Sequence, residues 1–189
     1  MITTFEKLTD EGIRTAISET AKYRHLTAPY CQGVGVDIAS QGDPVVPWAI
    51  NFDLPKSEFD RYCGGYPPKG PLQLRGFADK LPFENFSLDF VYSSHLLEDY
   101  PESDWNRVLI EWSRVIKPGG HLVILVPERT RWAAAMAKGQ APNGSHRYEP
   151  FVGDVSRHAL EIGGLIVQQE ALTDQFEGDY TILFVAEKT

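Results

Sequence analysis

Apolar residues recur along this chain with two alternating periods, one helical and one strand-like. From Thr9 to Arg24, Ile13, Ala16, Ile17 and Ala21 return at helical spacing. Thr9-Asp10 offers capping oxygens and Pro29 closes the segment, so a helix is predicted there. Gly33–Ile38 is a short apolar strand, followed by a Gly/Pro-containing turn, Ala39–Pro44. Ala49–Asp53 reads as a second strand ending in an acid. The Pro- and Gly-rich residues 55–70 read as a surface excursion with at most one short helix, near Ser57 to Tyr62. Leu72–Leu74 is a weak third strand and Leu88–Ser93 a stronger fourth.

The clearest helical pattern runs from Glu102 to Ile116, with Trp105, Val108, Leu109, Trp112, Val115 and Ile116 on one face. Pro101 suits its first turn, and Lys117-Pro118-Gly119-Gly120 stops it. The near-continuous apolar run His121–Val126 predicts a strand buried on both faces. A small-residue helix is expected at Trp132–Met136 and another at Asp154–Ile162, which ends at Gly163-Gly164. Two final strands, Leu165–Leu172 and Tyr180–Ala186, are joined by a polar turn too short for a crossover helix, so they should pair antiparallel. The alternation implies an α/β fold: a doubly wound, Rossmann-like, mostly parallel sheet with an antiparallel last strand. Residues 1–189 are expected to form one domain, with 1–30 as an N-terminal helical extension and 128–150 as an insertion on the acceptor side of the site.

Composition narrows the function classes. The chain is 42% hydrophobic and 23% charged, ordinary values for a protein that buries a core. No 18-residue apolar run is present, and the first ten residues lack the basic-then-apolar order of a signal peptide, so a cytoplasmic location is expected. Cys31 and Cys63 fit reduced thiols better than a disulfide framework. A net charge of −8 disfavours a nucleic-acid partner. The five histidines are scattered and no Cys/His pair has ligand spacing, so no metal is expected.

In an open α/β sheet, ligands bind beyond the carboxyl ends of the strands. Four such ends are polar here: Asp37 to Gly42, Asp53, Ala78-Asp79, and Ser93-Ser94-His95. A small-residue turn lets backbone approach a ligand closely. An acid after the second strand can accept from a ribose diol, and one after the third from an exocyclic amine such as that of adenine. Each also has a plainer reading: an Asp can shape a turn, and Ser93 or Ser94 can cap a helix. The coincidence of all four, in the order an adenosyl ligand needs, favours a site.

Two blocks carry a family resemblance. Gly76-Phe-Ala-Asp-Lys-Leu-Pro-Phe-Glu-Asn-Phe-Ser-Leu-Asp-Phe-Val-Tyr-Ser-Ser-His-Leu-Leu-Glu-Asp99 and Glu111-Trp-Ser-Arg-Val-Ile-Lys-Pro-Gly-Gly-His-Leu-Val-Ile124 resemble class I S-adenosylmethionine (SAM)-dependent methyltransferases. The likeness is good over residues 33–127. Gly35–Pro44 with Pro47–Asp53 is similar to a small bacterial subgroup whose first helix is cut short, in keeping with Pro44 and Pro47. Members of that subgroup occur among cell-surface polysaccharide genes, which implies a sugar-like or other small acceptor.

The resemblance implies SAM as cofactor and S-adenosylhomocysteine as product. It implies that Asp53 and Leu54 meet the ribose, Ala78 and Asp79 the adenine, and Asp37, Ala39, Gly42, Ser94 and His95 the methionine part, with Arg24 on its carboxylate. His146 and His95 are the candidate general bases, because imidazole titrates near neutral pH. Glu98 and Asp99 read as helix-capping or solvated. Ala39 and Gln41 stand where the family pattern has glycines. A side chain there at positive φ costs about 1 kcal/mol or more. That departure supports an alternative, a degenerate methyltransferase fold that binds or scaffolds without catalysis. A nicotinamide oxidoreductase is disfavoured, since no Gly-x-Gly-x-x-Gly opens a long first helix.

Overall fold

The computed structural model describes residues 18–139 and 144–189. Seven strands form one sheet: β1 (Gly35–Ile38), β2 (Ile50–Asp53), β3 (Leu74–Arg75), β4 (Leu88–Ser94), β5 (Ile116–Pro127), β6 (Leu165–Leu172) and β7 (Thr181–Lys188). Their spatial order is β3-β2-β1-β4-β5-β7-β6. β1 to β5 run parallel, while β7 pairs antiparallel with both β5 and β6. The predicted mixed sheet is therefore present, and the order in which its strands are added reverses at β1, which lies between β2 and β4. That reversal is the switch point where ligands bind in such sheets.

Side-chain alternation on the buried strands sorts the core into two layers. Val36, Ile38, Phe52, Val91, Leu122, Ile124, Val126, Ile182, Phe184 and Ala186 face α3 (Trp105–Val115) and α5 (Asp154–Ile162). Trp105, Val108, Leu109 and Trp112 on α3, with Val155 and Ala159 on α5, complete that layer. Phe90, Tyr92, Val123, Leu125, Leu183 and Val185 face the other way, onto Tyr23 of α1 (Glu19–Thr27) and onto Cys31, Val45, Val46 and Ala49.

The second layer is unusual in being half loop. No helix links β1 to β2; residues 39–49 cross as turns, and Val45, Val46 and Ala49 bury where a helix face would lie. Pro44 and Pro47 remove two N–H donors in this stretch. Asp37 compensates: its Oδ2 accepts from Val45 N at 2.6 Å. Arg24 of α1 clamps the same segment through Asp43 at 2.8 Å and the carbonyls of Pro44 and Val45.

The predicted Thr9–Arg24 helix lies outside the described residues up to Ile17; the described part begins with Ser18 as N-cap and continues to Thr27. A short helix, α2 (Lys56–Tyr62), stands in the excursion after β2, and α4 (Arg129–Ala137) is longer than its small-residue core suggested. β5 starts earlier than its apolar run, because Ile116 already pairs with Leu88 before a bulge. At Gly120 a Cβ would lie 2.5 Å from the Asp89 carbonyl, so the strand reaches its partner there only as glycine. No helix among the described residues is long and apolar enough to cross a membrane.

Candidate cofactor site

The ends of β1, β2 and β4 open onto one cavity of about 340 Å³. Ala39, Ser40 and Gln41 form its edge after β1, Asp53 and Leu54 its edge after β2, and Ser94, His95 and Leu96 its edge after β4. An adjoining apolar slot of about 30 Å³ lies between Ile38, Phe52, Leu54, Gly76, Ala78, Leu96 and Tyr100. Ala39, Asp53, Leu54 and Leu96 border both spaces, which are therefore neighbours.

Asp53 is buried, and both its oxygens already accept backbone hydrogen bonds, from Gln41 N at 2.9 Å and Leu54 N at 2.8 Å. A carboxylate has about four acceptor sites, so capacity for a diol remains. Burial outweighs those two bonds and the Arg75 charge and raises the Asp53 pKa above the ordinary carboxylate value. Ala39 has φ +62° and Gln41 φ +49°, so both occupy the left-handed region that favours glycine. The strained turn is held by Phe52 O, which accepts from Ala39 N at 2.9 Å, and by the Asp53–Gln41 bond. Gly42 also has positive φ, but it faces away from the cavity; a Cβ there would meet the Gly70 carbonyl at 2.3 Å. Its role is close packing of two backbones.

The excursion after β2 is a wall of the site: Phe59, Tyr62, Cys63 and Lys69 line the cavity. Tyr62 Oη donates to Asp99 at 2.9 Å, and Ser145 Oγ reaches the same carboxylate at 2.6 Å. Burial pushes the Cys63 thiol up to about 11, which makes it a poor nucleophile near neutral pH. These wall residues had no signal in the sequence beyond turn-rich composition. On the opposite wall, Ser18, Glu19 and Thr20 close the cavity from α1.

His95 sits at φ +53° immediately after β4 and lines the cavity. Its Nδ1 lies 3.3 Å from Glu98 Oε1, and its Nε2 lies 3.9 Å from Glu19 Oε2. Burial on its own would lower the His95 pKa, but the Glu98 carboxylate at Nδ1 and the further charge of Glu19 outweigh it. The ring therefore keeps its proton to higher pH than a free imidazole.

Several expected site residues stand elsewhere. Asp37 does not line the cavity; it is buried under the β1–β2 crossover, where desolvation holds its carboxyl well above the usual range. Arg24 is engaged with the crossover on the outer side, and Lys69 is the cation in the lining. Asp79 turns out of the slot to an ion pair with Arg107 of α3, while its neighbour Ala78 remains in the slot wall, its carbonyl accepting from Trp112 Nε1 at 2.9 Å. His146 lies behind His95, not in the cavity lining: its side chain is 4% exposed and its ring packs on Trp132 at 4.8 Å between centroids. Glu98, read from sequence as a capping or solvated residue, is instead fully buried between the two histidines.

Residues 49–124 match the methyltransferase domain family. No curated protein matches the chain by sequence. Among solved structures, a SAM-dependent methyltransferase from Thermotoga maritima superposes with a TM-score of 0.65 at 17% identity, covering 94% of this chain and 92% of that one. An S-adenosylmethionine-dependent methyltransferase from Mesorhizobium loti gives 0.63 at 17% identity, covering 90% and 98%. The PH0226 protein from Pyrococcus horikoshii gives 0.63 at 15% identity, covering 89% and 88%. The sequence match spans β2 to β5, where the chain is similar to the methyltransferase domain family, and the likeness over nearly the whole sheet shows that it has the fold of these methyltransferases.

Proposed function

We propose that this enzyme methylates an oxygen or nitrogen of a small, sugar-like acceptor, with SAM seated across the cavity and slot at the ends of β1, β2 and β4. The observation that carries the reading is the adjacency of a polar cavity and an apolar slot at the switch point, with Asp53 and Leu54 in the walls of both. Leu54, Ala78 and Leu96 offer the apolar contacts an adenine edge needs at the mouth of the slot, and Asp53 beside them suits the ribose hydroxyls. Glu19 Oε2 is a buried oxygen without a hydrogen-bond partner among the described residues, in keeping with a polar ligand that satisfies it. Lys69 suits the methionine carboxylate, and Glu19 and Asp53 supply negative charge for a sulfonium. When bound, the cofactor supplies a methyl group on positively charged sulfur, which passes to the acceptor's lone pair while the sulfur keeps the bonding electrons.

The chain's own contribution is alignment, exclusion of water and a place for the acceptor's proton. His95, in the lining beside Glu19, is better situated than His146 to take that proton. Arg147 N and Tyr148 N donate to the Glu98 carbonyl at 2.8 and 3.1 Å, which brings this later segment up to the turn after β4 and favours an acceptor entrance there. A small acceptor also accords with the acidic net charge of −8.

Calorimetric titration with SAM and S-adenosylhomocysteine tests the reading. Saturable binding to the wild type, reduced at least about tenfold in Asp53→Ala, is the expected result and licenses an acceptor screen over sugars and small phenols. Folded wild-type protein that gives no heat with either ligand would instead favour the scaffold alternative, whose support is the pair of positive φ values at Ala39 and Gln41.

A further inference from the structure

Glu98 is 0% exposed, and neither of its carboxylate oxygens has a hydrogen-bond partner among the described residues. An isolated buried carboxylate is costly unless a positive or proton-bearing group faces it. Two imidazoles do, and on the same atom: His95 Nδ1 is 3.3 Å and His146 Nε2 3.7 Å from Oε1. The far side of His146 meets Glu149 Oε1 at 3.2 Å. Trp132 packs on the His146 ring at 4.8 Å, and Tyr180 stands edge-on to both Trp132 and His95. The enclosure is aromatic, which keeps the cluster away from water and strengthens its electrostatics.

We propose that Glu98 is a positioning residue for methyl transfer: it holds the neutral His95 ring with its proton on Nδ1, so that Nε2, on the Glu19 side of the ring, carries the lone pair of a general base, while His146 supports the carboxylate from behind. A neutral imidazole has one N–H and one acceptor nitrogen, and the partner of one nitrogen sets the role of the other. Burial prevents Glu98 from turning to solvent, and its backbone is pinned by Arg147 N and Tyr148 N. The proton that the acceptor gives up as it is methylated moves to Nε2; the resulting imidazolium is balanced by Glu98, and the proton leaves to water once product departs. This assignment rests on the proposed methyl transfer at this cavity. Charged and titratable neighbours of His95 are Glu98 from the turn after β4, Glu19 and Lys22 from α1, and Tyr180 before β7.

The test is nuclear magnetic resonance of the full chain with nitrogen-labelled histidine, titrated from acid to alkaline pH with and without S-adenosylhomocysteine. His95, assigned with His95→Gln, is expected to be Nδ1-protonated when neutral and to lose its charge above the ordinary imidazole range. In Glu98→Gln that titration moves down in pH, while SAM affinity stays within about tenfold of wild type. An Nε2-protonated neutral ring in the wild type, or a His95 titration unmoved in Glu98→Gln, overturns the proposal. Should Glu98→Gln not fold, the wild-type tautomer still decides, with His146→Gln expected to leave it on Nδ1. Wild-type protein that binds neither SAM nor S-adenosylhomocysteine overturns the base role through the functional reading, a result distinct from a wrong tautomer.

Discussion

At the scale of single residues, this site is built on strained backbone. Ala39, Gln41 and His95 all adopt positive φ at the ends of β1 and β4, where each borders the cavity. Strain of this kind persists only when the surroundings over-determine it, and it concentrates at functional sites. Replacing Ala39 or Gln41 by glycine removes the clash of Cβ with backbone, and each change is expected to raise stability by up to about 1 kcal/mol in urea denaturation, less the extra freedom of glycine in the unfolded chain. Gly42 is the opposite case: Gly42→Ala brings a Cβ within 2.3 Å of the Gly70 carbonyl at a left-handed φ, so a loss of about 2 kcal/mol or more is expected by the same measurement. His95 links stability to pH. Its folded pKa is raised, so its contribution is complete below the unfolded imidazole value and is lost as pH rises through the folded one. Melting temperatures should therefore fall with rising pH above about 6.5 in the wild type, and this slope should be weaker in His95→Gln.

At the scale of elements, two segments without regular structure do what helices do in most doubly wound sheets. The β1–β2 crossover buries Val45, Val46 and Ala49 against β4 and β5, and Arg24 and Asp37 hold its backbone in place. Arg24 thus separates two roles that the sequence leaves together. As a clamp, Arg24→Ala is expected to lower stability by about 1 kcal/mol and change SAM affinity by less than about tenfold. As a carboxylate ligand it would do the reverse, and denaturation with calorimetry on one variant decides. The α3 helix works at a distance on the slot: Trp112 is fully buried and donates to the Ala78 carbonyl, so the helix that fills the core also fixes the slot wall. Its neighbour Arg107 draws the Asp79 side chain away from the same wall.

For the molecule as a whole, the sheet order places β1 and β4 side by side, and this brings residues 39–41 and 94–96 to opposite rims of one opening. Ser18, Glu19 and Thr20 at the start of α1 and Phe59, Tyr62 and Lys69 of the excursion after β2 then wall it. Ligand binding to such a preformed site acts on global stability by mass action. At a SAM concentration about 100 times its Kd, an increase of about 2.7 kcal/mol in unfolding free energy is expected, visible as a higher melting temperature that Asp53→Ala loses.

The sequence by itself determined the elements and the class of fold. The apolar run His121–Val126, the Trp105–Val115 stripe and the Gly163-Gly164 stop are local signals, and each corresponds to a described element. It also marked the strand ends, because a polar residue that follows an apolar strand is visible in one dimension; Ala39, Asp53, Leu54, Ala78, Ser94 and His95 all border the cavity or its slot. Only the tertiary structure decided what faces what. Asp37, Gly42, Asp79 and Arg24 lie close in sequence to lining residues but turn to other partners, since direction depends on side-chain alternation and on long-range ion pairs. Phe59, Tyr62 and Lys69 enter the wall because a turn-rich excursion folds back, and turn chemistry carries no address. The meeting of Glu98 with His95 and His146 joins residues 51 positions apart in the chain at its widest (95 to 146) around one buried oxygen. Burial and long-range approach, the two facts that give that carboxylate its chemistry, exist only once the chain has folded.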